Sequence, residues 1–113
     1  MTGPARGEVW DVDFDPVRGR EQAGRRPALI VSVDPFNQGP AELIIVLPIT
    51  RTDRHIRWHV PVQPPEGGLT SQSFIMCENA RSISKLRLAK KRGRVSSSTA
   101  LEVEDRLRIL LGF

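Results

Sequence analysis

A chain of 113 residues is long enough for one compact core and too short for two. Its 17 Lys and Arg outnumber 13 Asp and Glu, so it carries a net charge of +4, which suits a polyanionic partner but also an ordinary soluble domain. The single cysteine, Cys77, excludes an internal disulfide and a cysteine-rich zinc site, and no apolar run approaches the roughly 20 residues needed to span a bilayer.

In chain order the pattern is one of short strands closed by a helix. Glu8 to Phe14 alternates, with Trp10, Val12 and Phe14 on one side and Asp11 and Asp13 on the other, as in a half-buried strand. A charged loop from Val17 to Arg26 follows. Pro27 to Val33 reads as a second strand with proline at its first position, where a ladder donor is least missed. Residues 34 to 40 read as a turn. Leu43 to Ile49 is nearly continuous in apolar residues, as expected of a strand buried on both faces. Thr50 to His55 is a polar loop and Arg57 to Val62 another strand. The run Pro64-Pro65-Glu66-Gly67-Gly68 marks a turn. Ser71 to Cys77 and Asn79 to Ile83 give further strand, Ser84 to Leu88 a short helix, and Gly93 to Val95 a last short strand.

The C-terminus is helical. Thr99 and Glu102 have the spacing of a capping box. Val103, Leu107, Leu110 and Leu111 share one face, and Gly112 is placed to stop the helix. Cys77, inside Phe74-Ile75-Met76-Cys77, is expected to serve as a small buried apolar residue. Residues 1–113 read as a single α+β domain built on a small barrel. The segment Met1 to Arg6 lacks the apolar stretch of a signal peptide, so a cytoplasmic protein is expected.

Charge is segregated along the chain. Lys85 to Arg94 holds six basic side chains and no acid. Arg51 to His59 holds Arg51, Arg54, Arg57, His55 and His59 against Asp53 alone. Acids concentrate at Glu8 to Asp15 and Glu102 to Asp105. A basic face is expected, whether as a nucleic-acid footprint or as a solvated surface. Trp58, between Arg57 and His59, is suited to stacking on an unpaired base and equally to a place in its strand's core. His55 and His59 invite an acid–base reading by residue type, but four residues apart and without further ligands they do not make a metal site.

Six segments carry a family resemblance. Glu8-Val9-Trp10-Asp11-Val12-Asp13-Phe14-Asp15-Pro16, then Gly19-Arg20-Glu21-Gln22-Ala23-Gly24, then Arg26-Pro27-Ala28-Leu29-Ile30-Val31, resemble the opening of the MazF/PemK family. Pro48-Ile49-Thr50 matches that family's third strand and its threonine. Cys77-Glu78-Asn79-Ala80-Arg81-Ser82-Ile83 and Lys85-Leu86-Arg87-Leu88 match its later strand. The resemblance runs from about Arg6 to Leu111, and its most specific part is the Glu-Gln-x-Gly-x-Arg-Pro segment.

The resemblance implies an SH3-like small β-barrel of the MazF/PemK/CcdB type with a C-terminal helix. It also implies a homodimer, cleavage of single-stranded messenger RNA without metal or cofactor, and an antitoxin whose acidic, disordered tail lies across the RNA groove. By position it assigns catalysis to Arg26 and Thr50, with Glu21 as the loop acid. The chemistry agrees: a guanidinium fork holds two phosphoryl oxygens and stays charged, and a threonine hydroxyl donates to one. Glu21 is open to three roles: accepting the 2′-OH proton, orienting Arg26, or a solvated acid. Arg20, Arg25, Arg51, Arg54, His55, Arg57, Trp58 and Glu78 are the expected RNA contacts. In an extended segment Arg25 is expected to point away from Arg26.

Two departures limit the transfer. Arg20 stands where some relatives have serine, and Met76 stands where another branch has the arginine partner of the acid, here Glu78. The Arg26/Thr50 mechanism fits, whereas that branch's arginine–aspartate pairing does not transfer, and neither does the cleavage sequence, which changes readily with these loops. A non-enzymatic reading stays open beside the nuclease: a gyrase-poisoning toxin or an RNA-binding module on the same fold. The Arg26/Thr50 pair is what such a binder does not need.

Overall fold

The computed structural model describes residues 3–14 and 24–113. Among the described residues, seven strands and one long helix make up the framework: β1 (Glu8–Asp13), β2 (Arg25–Ile30), β3 (Leu43–Thr50), β4 (His59–Val62), β5 (Ser73–Met76), β6 (Arg81–Ser84), β7 (Leu88–Arg94) and the C-terminal α2 (Ser97–Leu111), with a single helical turn, α1 (Asp34–Asn37), between β2 and β3. All strand pairs are antiparallel, in the order β4-β5-β3-β2-β1-β7, with β6 also on β3. This is the α+β, barrel-like fold with a C-terminal helix that the sequence led us to expect.

The sheet curls because β3 has more neighbours than edges. Its first half, Leu43 to Val46, pairs with β6, and its end, Ile49 and Thr50, pairs with β5. The 3₁₀ turn Cys77–Asn79 makes the corner between those two partners. The run of apolar residues in β3 is buried on both faces only from Val46 onward; Leu43 and Ile45 are exposed, against the expectation for the whole run. Leu47 and Ile49 join Val9, Leu29, Val60, Val62, Ile75 and Val103 in one core, while Ile44 and Val46 join Val12, Ala28, Ile30 and Ile83 in a second. Trp10, Phe14 and Leu88 pack on the second core, so the alternation of β1 holds there. Its opposite face is also covered, because Val9 is buried in the first core.

Several boundaries differ from the sequence reading. β2 starts at Arg25, two residues early, so Pro27 stands third. It faces Asp11 on β1 and has no partner on β3, whose pairing begins at Ala28, so no ladder bond is lost on that side. The turn after β2 contains α1, whose buried Asn37 donates to the Ser32 carbonyl at 2.8 Å and also bonds the Ser32 hydroxyl. β4 starts at His59, leaving Arg57 and Trp58 in the preceding turn. The short helix after Ser84 is a 3₁₀ turn, Lys85–Arg87.

The largest difference is β7. It spans seven residues of the basic run rather than three and pairs along most of β1. It is an edge strand, and edge strands tolerate and even favour cations that discourage further pairing, so the alternation that would mark it is hidden by charge. In α2 the cap is Ser96, whose hydroxyl accepts from Thr99 N at 3.2 Å, so Thr99 lies inside the first turn. Val103 is buried and Leu107 and Leu110 half-buried against the first core, but Leu111 is exposed. Gly112 stops the helix in the left-handed conformation, as expected. Among the described residues no helix is long and apolar enough to cross a membrane.

Two carboxylates tie remote segments together. Glu8 is buried; its Oε1 accepts from Trp10 Nε1 and Ala5 N, both at 3.0 Å, and its Oε2 pairs with Lys91 Nζ at 3.0 Å. Glu66 Oε2 accepts from Ser96 N at 2.8 Å, at the start of α2. In both, burial pushes the carboxyl pKa up, and the hydrogen bonds together outweigh it, holding the group below the ordinary value of 4.5. A lowered folded-state pKa contributes stability that is present above the unfolded value and is lost as pH falls through the folded one. Urea unfolding is therefore expected to show stability declining as pH drops below about 4.5, with a shallower decline in the Glu8→Gln, Glu66→Gln variant. By the same measurement Ser96→Ala is expected to lose about 1 kcal/mol, and Ser97→Ala, at an exposed position, less than about 0.5 kcal/mol.

Candidate active-site groove

A groove of about 530 Å³ opens where the start of β2, the end of β3 and the segment before β5 converge. Arg25, Arg26 and Pro27 border it from β2, Ile49 and Thr50 from β3, and Arg51 and Thr52 from the loop that follows. Leu69, Thr70, Ser71 and Ser73 close another side, and Asp11 of β1 and Arg92 of β7 the last. The lining is polar and cationic: four arginines against one carboxylate, which is itself paired with Arg92 at 3.1 Å.

Arg25 and Arg26 both border the groove, against the expectation that they diverge. The reason lies in the pairing. β2 meets β3 only from Ala28 onward, so at residues 25 and 26 one edge of the strand is open and both side chains flank the same opening. Both are exposed, and among the described residues neither is held by a carboxylate. Thr50 is nearly buried at the end of β3. Its Oγ1 accepts from Thr52 N at 3.1 Å, which commits an oxygen lone pair and leaves the hydroxyl proton to donate elsewhere. Ser73 is buried and donates to the Ser71 carbonyl at 2.9 Å, which braces the opposite wall.

The other expected contacts are placed apart from this groove. Arg54 and His55 lie on the exposed loop after Arg51; His55 has a φ of +55° and its backbone N–H donates to Asp53 Oδ1 at 2.9 Å. Arg57 stacks over Trp58 with 4.7 Å from guanidinium carbon to ring centroid. Those two border a separate depression with Asp105, Arg106 and Ile109, and Arg106 Nε donates to the Arg57 carbonyl at 3.1 Å. His59 is buried on β4, and its Nε2 meets Glu78 Oε2 at 2.8 Å, so this histidine and this acid engage each other. Arg20 and Glu21 lie outside the described residues. Asp11, Thr52, Thr70, Ser71 and Ser73 were not foreseen as site residues, and Arg92 only as one member of the basic run Lys85 to Arg94. Arg92 sat inside a basic run without a visible period, and the hydroxyl residues carried no spacing signal at all. Among the described residues, no three His, Cys, Asp or Glu side chains are grouped to hold a metal ion.

Residues 5–111 match the model of the PemK-like, MazF-like toxins of type II toxin–antitoxin systems. The chain belongs to this family. Among relatives of this PemK-like, MazF-like chain, endoribonuclease MazF9 of Mycobacterium tuberculosis is 34% identical over 111 residues, covering 94% of each chain. Endoribonuclease MazF of Staphylococcus epidermidis is 33% identical over 108 residues, covering 95% of this chain and 90% of its own. A solved MazE-MazF structure from Deinococcus radiodurans superposes with a TM-score of 0.85 at 26% identity, covering 100% of this chain and 99% of that one.

Cys77 takes no part in the groove of this PemK-like, MazF-like fold. It is 2% exposed in the first core, and burial, reinforced by the neighbouring Glu78 charge, pushes its thiol up to about 12. The thiolate is the reactive form. The native protein is therefore expected to resist a thiol-specific disulfide reagent at mildly alkaline pH and to react stoichiometrically once denatured. Rapid labelling of the native protein would contradict this placement.

Proposed function

We propose that this chain is the toxin of a type II toxin–antitoxin system and a sequence-selective endoribonuclease that cuts single-stranded messenger RNA. The family assignment supports nuclease activity in general. The observation that carries the finer reading is the meeting of Arg26, from β2, and Thr50, from β3, at one cationic groove.

In this reading the RNA supplies its own nucleophile. The 2′-oxygen loses its proton and attacks the adjacent phosphorus, the bond from phosphorus to the 5′-oxygen breaks, that oxygen takes up a proton from solvent, and the products end in a 2′,3′-cyclic phosphate and a 5′-hydroxyl. Arg26 holds the phosphoryl oxygens and is stronger for the extra charge of the transition state than for the ground state. Thr50 donates its hydroxyl proton to one of those oxygens. Glu21 accepts the 2′-OH proton or orients Arg26, a role taken from the family resemblance. Neither a metal nor a cofactor enters the scheme. Arg25 and Arg51 in the groove, with Arg20, Arg54, His55, Arg57, Trp58 and Glu78, are the proposed RNA contacts. The whole span 1–113 acts as one cytoplasmic toxin domain, paired as a homodimer. An antitoxin with an acidic disordered tail competes for the same cationic groove; the similar toxin from Deinococcus radiodurans was solved together with MazE.

A chelator-treated digest of a long, diverse single-stranded RNA, with fragment ends mapped, tests the proposal. Discrete cuts ending in cyclic phosphate are expected from the wild type. Arg26→Ala is expected to cut on the order of 10²–10³-fold more slowly with an unchanged thermal midpoint. Intact RNA with the wild type, or cleavage that needs an added divalent ion, would overturn it.

A further inference from the structure

One end of the groove carries a carboxylate and a guanidinium held side by side. Arg92 Nη1 donates to Asp11 Oδ1 at 3.1 Å, and Arg92 Nη2 donates to the Gly68 carbonyl at 3.1 Å. The side chains are 26% and 23% exposed, so the pair is mostly withdrawn from water while still bordering the groove. It also borders a neighbouring depression of about 280 Å³ lined by Gly68, Lys90 and Lys91, and so forms the wall between the two.

The backbone beneath the pair is clamped. A Cβ on Gly68 would fall 2.1 Å from the Arg92 carbonyl oxygen, and one on Gly93 would fall 2.8 Å from Gly67 C and Gly68 N. The turn Glu66–Gly68 can press against β7 only because both positions lack a side chain. Arg92 is thereby seated on a fixed platform, and its two hydrogen bonds, one to β1 and one to the turn, set its direction.

A site of this kind does not suit a phosphate. Asp11 cancels the charge of Arg92 and repels an anion, whereas neutral base edges, which carry sequence information, meet both partners. We propose that the Asp11–Arg92 pair reads a guanine base of the bound RNA and so sets one position of the cleavage sequence; this rests on the nuclease reading above. A carboxylate only accepts, with about four acceptor positions on two oxygens, and Arg92 takes one of them. Guanine alone among the four bases offers two adjacent donors, N1–H and the 2-amino group, beside an acceptor, O6, that suits the remaining N–H groups of Arg92. Adenine and cytosine present a ring acceptor where the carboxylate needs a donor, and uracil flanks its single donor with two acceptors. A polar site built for hydrogen bonds rejects the base that leaves them unmade, so the discrimination is expected to be about tenfold or more.

The test uses the full-length chain in two assays. In the digest, the aligned cut sites of the wild type are expected to show guanine at one position. Asp11→Asn, which replaces one acceptor with a donor, is expected to relax that position alone while the others stay as they were. In parallel, fluorescence anisotropy measures binding of 2′-deoxy oligonucleotides, which lack the nucleophile, made with guanine or with inosine at that position. If no cuts are obtained, it measures a randomised pool made with either base. Inosine lacks the 2-amino donor, and it is expected to bind the wild type about tenfold more weakly and Asp11→Asn no more weakly than guanine does. Arg92→Lys, which keeps the charge but loses the fork, is expected to relax the same position and serves where Asp11→Asn does not fold. Cut sites without guanine, an unchanged pattern in folded variants, or equal binding of the two oligonucleotides would overturn the proposal. A wild type that cuts no RNA yet prefers guanine over inosine would sink the nuclease reading and leave base recognition standing.

Discussion

The eight residues of β3 are asked to satisfy three other strands, and the rest of the architecture follows from how they do it. One edge pairs with β2. The other edge is divided, with β6 along its beginning and β5 at its end. A flat sheet has no room for two partners on one edge unless the chain turns a corner between them, and the turn Cys77–Asn79 supplies it. The sheet must then curl, and a curled sheet encloses apolar side chains on its concave side. Burial of apolar surface at about 25 cal/mol per Å² favours filling that interior. The remaining face of β3 is closed by the second core, so an eight-residue strand that is apolar almost throughout leaves only Leu43 and Ile45, at its start, exposed.

The groove is a by-product of the same geometry. Strands that curl do not all end at the same level, and where β2 begins before its pairing with β3, backbone and side chains border open space. Arg25 and Arg26 come from that overhang, Thr50 from the last residue of β3, and Arg92 from the edge strand β7. Bringing several cations together costs electrostatic repulsion, which solvent exposure keeps small and which a polyanion removes. The same convergence makes the groove competent for a charged substrate and for an acidic competitor.

Buried polar groups are handled by local pairing. Asn37 and Ser32 bond each other and the start of β3, with the Ser32 hydroxyl accepting from Ile45 N at 2.9 Å. Glu8 is held by two N–H donors and a lysine. His59 and Glu78 meet where β4 approaches the corner turn. Each group would be costly to bury alone, and each meets a partner far from it in sequence or in a turn only a few residues away; among the described residues His59 Nδ1 alone is buried without one.

Much of this was legible without coordinates. The alternation from Trp10 to Phe14, the apolar run of β3, the turn at Pro64 to Gly68 and the helical face of Val103, Leu107 and Leu110 follow from periods of two and 3.6 that apolar burial imposes on any chain. The motifs around Arg26 and Thr50 were likewise readable, because they are contiguous. Tertiary structure alone decided the rest, since it depends on residues that are distant in sequence. β7 is a strand because β1 offers it an edge, although its own residues carry no period. Ser96 rather than Thr99 caps α2 because Glu66, thirty residues earlier, holds its backbone N–H. Arg25 joins Arg26 in the groove because β3 is missing beside it. Asp11 and Arg92 become neighbours because β7 pairs with β1, and two glycines let the turn Glu66–Gly68 close on β7 beside them, contacts that no local pattern would bring together.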